Sequence, residues 1–362
     1  MSHVSQIDRI SPIDHILRFI HNKHITHLVV HGLKNRQHTH RYIHGSVHDT
    51  FHYIAERAEH HINVIWCEDE YASKNIYTPT LYNPENNFLI FATPHLELDK
   101  YLPIIDNAYY IVHFRDCVVY TDNRITKYDE LLKQKRAVKY IEFRYSADNA
   151  DYTKTDLEQI IKIPNTPFWM DTTKNEAHLA WATNLFPEKI DEHIGKISAS
   201  TEPYTRRQSY FCGHVWRANN DEIKQWRTLC DEYDVECIIE REKNELLHQQ
   251  NIGMSMLAPA IQGASQTQSE NKYYLPCRIF KNVSYGAIPI TNNIGVYNMF
   301  KDYGIIYDSD LNQLMEKCMA FCENMNENYE DYKQQQIRAM EYVRDNHTYL
   351  NRINALIQYG LE

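Results

Sequence analysis

Short runs of β-branched and aromatic residues alternate with helical patterns along the whole chain. ITHLVVH at 25–31, NVIWC at 63–67, NFLIFA at 87–92, AYYIVHF at 108–114 and KYIEF at 139–143 read as strands. They are almost entirely apolar instead of alternating, the pattern of strands covered by helices on both faces. Residues 47–60 read as a helix, and 98–105 and 128–136 as crossover helices. Strand and helix in regular alternation specify a parallel α/β sheet.

The polar, proline-bearing stretch SASTEPYTRRQ at 198–208 interrupts this pattern and reads as a linker. The alternation then restarts: strands at 210–215, 235–240, 255–259 and 287–291, helices at 221–233 and 275–284, and long helical patterns at 310–326 and 329–346. The expected fold is α/β, with two Rossmann-like domains facing across a cleft. They span 1–200 and 201–345, with a C-terminal helix at 346–362 packing back on the first. In open α/β sheets the ligand site is the crevice outside the carboxyl ends of the strands.

Composition narrows the function. The 362 residues carry 38 Lys and Arg against 48 Asp and Glu, a net charge of −10. That is the wrong sign for a dedicated nucleic-acid binder, whose affinity comes largely from phosphate neutralisation. No run approaches the roughly 18 consecutive apolar residues of a membrane span. The first residues lack a basic region followed by an apolar run, and the eight cysteines include no C-x-x-C pair. A cytoplasmic protein with reduced thiols is the expectation. There is no G-x-G-x-x-G, no phosphate-binding G-x-x-x-x-G-K-[ST] and no G-x-S-x-G elbow, so simple dehydrogenase, kinase and hydrolase readings weaken.

Several groups could carry chemistry. Between 257 and 293 a loop rich in Ser, Gln and Asn runs into a helix carrying Arg278 and Lys281 and ending near Gly286. Cations beside a helix start suit a diphosphate; the same residues also fit a solvated amphipathic helix with Gly286 as its C-cap. His38, His40, His44, His48 and His52 crowd together, the last three spaced i, i+4, i+8. However, Gly45-Ser46 reads as a helix start, which leaves only His48 and His52 inside. No carboxylate or cysteine completes a first shell, so no metal is assigned. Asp308-Ser309-Asp310 has the D-x-D form, but Asp310 precedes a helical run and reads as an N-cap. Ionisable residues gather at the carboxyl ends of the first-half strands: His31, Glu68, Asp69, His95, and His113 with Arg115 and Asp116. A histidine or carboxylate there could serve as a general base. An Arg115–Asp116 loop ion pair beside a packed His113 fits equally well.

The turn Tyr273-Tyr274-Leu275-Pro276-Cys277-Arg278 and the strand Ala287-Ile288-Pro289-Ile290 resemble the donor half of GT-B glycosyltransferases of the α-1,3-fucosyltransferase type. Arg278 stands where that family has a phosphate-binding lysine, and Cys277 where it has an acid. Tyr210-Phe211-Cys212-Gly213-His214-Val215-Trp216-Arg217 resembles the strand and glycine turn that open the donor domain, with Arg217 at a second phosphate-binding position. The E-x7-E pattern of many retaining members is absent. His40-Arg41-Tyr42, Thr50-Phe51, Trp66-Cys67-Glu68-Asp69, Tyr109-Tyr110-Ile111-Val112-His113 and the segment from Trp181 to Pro187 resemble glycosyltransferase-like proteins of large DNA viruses and some bacteria. The likeness covers most of residues 25–315.

The resemblance implies an enzyme that moves a sugar from a nucleotide sugar to a hydroxyl on a glycan or glycoprotein. It implies no cofactor beyond the nucleotide sugar as co-substrate, and no metal. Residues 1–200 would take the acceptor and 201–345 the donor. Gly213, His214, Arg217, Tyr274, Arg278, Lys281, Asn282, Ser284 and Tyr285 would meet the donor, and the base would come from His113, Asp116, Asp69 or His95. Two alternatives share the cleft: a non-catalytic two-lobed nucleotide-sugar-binding protein, and another GT-B-like enzyme such as an epimerase or a phosphorylase.

Overall fold

The computed structural model describes residues 11–31, 39–67, 83–92, 104–114, 131–142, 159–202, 206–213, 215, 219–240, 244–263 and 275–362. The first half is built on one sheet. Its strands are β1 (His27–His31), β2 (Asn63–Cys67), β3 (Phe88–Ala92), β4 (Ala108–Phe114), β5 (Ala137–Glu142), β6 (Ile160–Lys162), β7 (Trp169–Asp171) and β8 (Glu176–Leu179). Their order is β2-β1-β3-β4-β5-β8-β7-β6. All are parallel out to β8; β7 pairs antiparallel with β8 and with β6. Every residue of β1 and β3 is buried, which explains their unbroken apolar sequences. Of the expected crossover helices at 98–105 and 128–136, residues 98–103 and 128–130 lie outside the described residues; 104–105 are not helical, whereas 131–133 are, with a turn at 134–135 leading into β5.

Helix α1 (Pro12–Asn22) starts at Ser11, whose side chain accepts from Asp14 N, and buries Ile16, Phe19 and Ile20. Helix α2 runs from Thr39 to Ala55, not from 47 to 60. Ile43, Val47, Phe51 and Ile54 form one face at 0–2% exposure. That stripe carries the helix through Gly45 and Ser46. Ser46 is no cap: its hydroxyl donates back to Tyr42 O at 2.8 Å, one turn earlier.

Helix α3 (Pro187–Ala199) leads to the second half. Strand β9 begins at Arg206, so the connection is shorter than the polar stretch 198–208. There follow α4 (Asn220–Glu232), β10 (Glu236–Glu240), α5 (Glu245–Met254), β11 (Ser255–Leu257), α6 (Cys277–Ser284), β12 (Ile290–Thr291), α7 (Ile294–Phe300) and β13 (Ile306–Tyr307). The chain closes with α8 (Leu311–Glu327), α9 (Tyr329–Asn346), α10 (Tyr349–Leu356) and a final π-type turn, Ile357–Leu361. Strand β9 lies between β10 and β11, all parallel. A bridge between Ala260 and Thr291 carries the sheet on to β12 and β13.

Both halves are therefore parallel α/β units whose first strand is flanked on both sides. One layer of the core lies on the far face of the first sheet, among Val29, Phe88, Ile90 and Tyr110. Another sits between the second sheet and α4 and α8, around Trp226, Leu314 and Cys318. The largest cluster belongs to both halves: it runs from Ile16, Leu28 and Phe51 through Trp181 to Tyr210, Phe280 and Tyr342. Helix α10 packs on α1 and α2, and the final turn packs on β5. Among the described residues no helix is long and apolar enough to cross a membrane, and the described cysteines are free thiols.

Candidate functional site

Strand β9 has β10 on one side and β11 on the other, so the connections leaving β9 and β10 run in opposite directions. The carboxyl ends of β9 and β11 form the switch point where open α/β sheets bind ligands. Arg278, in the first turn of α6, reaches into that point. Its Nε donates to Cys212 O at the end of β9. Its Nη1 donates to Ile261 O, just past β11, at 3.1 Å. The guanidinium carbon lies 4.1 Å from the centre of the Phe211 ring. Two carbonyls and an aromatic face thus fix the plane of the cation.

Gly213 makes this approach possible. It has φ +152°, and a Cβ there would fall 2.2 Å from Arg278 Nη2. Any side chain would push the guanidinium out of the switch point. The amino end of α6 follows Pro276, which brings no N–H of its own. Cation and helix start together make a place for an anion.

A second polar group joins the two halves beside this point. Tyr285 OH donates to Asn184 Oδ1 at 2.6 Å and lies 2.5 Å from Glu245 Oε1. Asn184 Nδ2 donates to Glu245 Oε1 at 3.0 Å, and Lys281 Nζ lies 3.6 Å from the same oxygen. Lys281 also sits over the Tyr42 ring at 4.3 Å. Asn184 and Tyr42 come from the first half, the other three from the second. Burial works to raise the Glu245 carboxyl; Lys281 and the hydrogen bonds from Tyr285 and Asn184 outweigh it and hold the carboxyl below its ordinary value. Burial and the Glu245 charge push the Tyr285 phenol well up, so it stays a donor.

Cys212 links the two groups. Its thiol is 2.8 Å from His248 Nε2, and His248 Nδ1 is 3.4 Å from Tyr210 OH. Burial raises the thiol's pKa against the pull of Lys281 and Arg278.

The structure brings together some of the expected donor residues and separates others. Gly213 and Arg278 meet at the switch point. Lys281 and Tyr285 face the first half. Asn282 and Ser284 are 0% exposed: Asn282 Nδ2 donates to Ala258 O at 2.8 Å, and the Ser284 hydroxyl is 2.7 Å from that of Thr183. Asn282 thus ties α6 to the segment after β11 within the second half, and Ser284 ties it to the first half. His214, Arg217 and Tyr274 lie outside the described residues, as do Asp69, His95 and Asp116.

His113 is described, and it is 0% exposed. Its ring lies 4.6 Å from that of Tyr140 and 6.1 Å from that of Phe91, inside the shared core and not on a rim. The histidines of α2 diverge. His44 is buried against Phe91, while His48 packs edge-on to His52 and lies 4.8 Å from the Trp66 ring. Among the described residues no cluster of three metal-type ligands occurs. Asp310 caps α8, accepting from Asn312 N and Gln313 N at 2.9 and 3.1 Å. Asp308 is paired with Lys317 at 2.7 Å.

Glu245 was not anticipated from the sequence. Its only local signal is Asn244, whose side chain caps α5 by accepting from Leu246 N and Leu247 N; nothing in that cap forecasts a partner more than sixty residues away.

The sequence matches no protein-family model and no curated protein. Solved structures that resemble the fold include two enzymes. One is an alpha1,3-fucosyltransferase with GDP-fucose, at 11% identity and TM-score 0.39, over 93% of this chain and 90% of that one. The other is a trehalose-6-phosphate synthase, at 10% identity and TM-score 0.40, over 92% and 97%. Values this low leave the functional reading to the geometry of the site.

Proposed function

We propose that the chain is a GT-B-type glycosyltransferase that moves a sugar from a nucleotide sugar to an acceptor hydroxyl. The observation that carries the reading is the Arg278 guanidinium, clamped by Cys212 O and Ile261 O at the β9/β11 switch point beneath Gly213. A cation held there beside a helix start suits the diphosphate of such a donor. As the sugar leaves, charge grows on the departing nucleoside diphosphate. Preorganised donors aimed at that charge commonly supply the largest catalytic contribution. The sequence likeness to fucosyltransferase-type donor domains adds the sugar to the phosphate.

The acceptor would enter from the first half, its hydroxyl proton passing to a base at the carboxyl ends of β2, β3 or β4. A base must come within hydrogen-bond reach of that hydroxyl. The enclosed ring of His113 meets that condition poorly, which leaves Asp69, His95 and Asp116 as the stronger candidates. No metal is required in this reading: the phosphate charge is met by Arg278, with Arg217 as second cation.

Calorimetric titration with a panel of nucleoside diphosphates tests the site. Arg278→Ala should weaken binding by about 1.5–3 kcal/mol, the worth of one charge-assisted contact. Arg278→Lys should recover part of that, keeping the charge without the planar fork. Unchanged affinity in both variants, with melting temperatures showing folded protein, would place the phosphates elsewhere.

A further inference from the structure

A cavity of about 300 Å³ opens between α3 of the first half and α5 and α9 of the second, away from the residues that hold Arg278. Its floor is short of side chains for a structural reason. At Gly253 a Cβ would fall 2.8 Å from Tyr285 O, and at Gly286 (φ +95°) one would fall 2.7 Å from Ile197 Cδ1. Helix α5 meets the turn after α6 through backbone there, the Ile197 side chain of α3 closes on Gly286, and the space above these contacts stays open.

The walls differ in chemistry. Lys189, His193 and Lys196 line one side of the cavity, at i, i+4 and i+7 on α3. Lys189 is paired with Glu192 at 2.5 Å. Burial lowers the His193 pKa against the opposing pull of the Tyr285 backbone. Lys196 has no ion-pair partner among the described residues, and one carboxylate, Glu202, also lines the cavity, so the two lysines outnumber it. Opposite stand Gln249 and Gln250, whose side chains make no hydrogen bond among the described residues. Ile197 and Met254 supply apolar surface. Leu246, at the cavity's edge, is 60% exposed, the most of the large apolar side chains that stand out to solvent.

An uncovered leucine, an unpaired lysine and two unengaged carboxamides around one small space describe a ligand by its complement. We infer that this cavity binds a small amphipathic anion: a compact apolar body bearing one phosphate, sulfonate or carboxylate group. The acid meets Lys196, the apolar body covers Leu246 and Ile197, and the glutamines bond to the acid or to hydroxyls near it. A volume of about 300 Å³ lies at the lower end of ligand pockets and admits no polymer. The cavity shares no residue with the group that holds Arg278, although Tyr285, one of the expected donor residues, also lines it.

The test uses the whole chain and the dye 8-anilinonaphthalene-1-sulfonate, an aromatic body with one sulfonate, followed by fluorescence. One molecule should bind per chain and be displaced by octyl phosphate, whereas inorganic phosphate or 1-octanol should compete at least about tenfold less well. Lys196→Glu and Leu246→Asp, both at exposed positions, should each weaken dye binding about tenfold, equivalent to about 1.4 kcal/mol. Arg278→Ala should bind the dye like the wild type. Wild-type dye affinity in both cavity variants would overturn the inference. So would octanol competing as well as octyl phosphate, or loss of dye binding in Arg278→Ala, which would put the dye at the switch point.

Discussion

His31 ends β1 at 0% exposure, and burial alone pushes its pKa down to about 3. His347, equally enclosed, is held well below its ordinary value by burial and by Arg352. Such histidines are neutral in the folded protein and take up a proton on unfolding wherever the pH is below their ordinary value near 6.5. Their contribution to stability is full above about pH 6.5 and is lost as the pH falls towards 3. Each adds a slope of at most about 1.4 kcal/mol per pH unit in that window. Denaturation midpoints should accordingly drop between pH 7.5 and pH 5, and His31→Leu should flatten the drop. Asp171 and Glu176, whose pKa values are lowered, begin to lose their contribution only below about pH 4, the ordinary carboxylate range, and so leave this window clear. A stability independent of pH from 7.5 to 5 would mean that His31 is not held neutral. Legibility at this scale divided along similar lines. That Arg278 opens a helix and Gly213 follows a strand could be read, because both are local signals. The position of Glu245 could not, because it depends on Asn184 and Tyr285 arriving from distant segments.

At the scale of elements, long apolar stripes and caps were legible and short strands were not. Strand β4 coincides with its apolar run, β3 and β10 begin one residue late, and β1 begins two residues late. Strands β6 and β7, three residues each, carry too few positions for a period to show. They form because Asp171 closes the turn into β8, accepting from Thr173 N at 3.0 Å and Lys174 N at 3.2 Å. Helix α2 shows the opposite failure: Gly45-Ser46 is a strong local start signal, overruled by a buried face of four residues. Asp308-Ser309-Asp310 is where element physics separates two functional readings. Because Asp310 caps α8 and Asp308 is bound to Lys317, Asp310→Ala should cost about 1 kcal/mol of stability. It should leave nucleoside-diphosphate affinity unchanged, with or without EDTA. A fall in that affinity, or loss of it in EDTA with recovery on adding Mn²⁺, would reassign the pair to a metal.

Over the whole molecule, two sheets share one continuous core, and a buried charge sits where they join. Arg352 is 3% exposed. Its Nε donates to Ala180 O at 2.7 Å and its Nη2 to Trp181 O at 3.3 Å, both just beyond β8. Its Nη1 donates to Asn346 O at 2.8 Å at the end of α9. Burial pulls the guanidinium pKa down to about 10, still far above neutral, so the charge is retained. Beside it, Thr183 N donates to His347 O at 3.0 Å, and the Phe280 ring of α6 stacks on His347. The first sheet, α6 and the C-terminal helices are thus tied at one place. Replacing Arg352 with Met would keep the bulk and remove the donors, leaving three carbonyls unpaired at about 1–3 kcal/mol each, offset in part by the relief of a buried charge. A loss of at least about 2 kcal/mol is expected, and it should be felt on both sides of the join. Hydrogen exchange at β3 and β9 reads the two halves separately. In Arg352→Met the most protected amides of both strands should exchange faster by the same factor, and calorimetry should show one transition moved to lower temperature. Faster exchange in β3 alone, or two resolved transitions, would mean that each half keeps its own stability and that the shared core does not couple them.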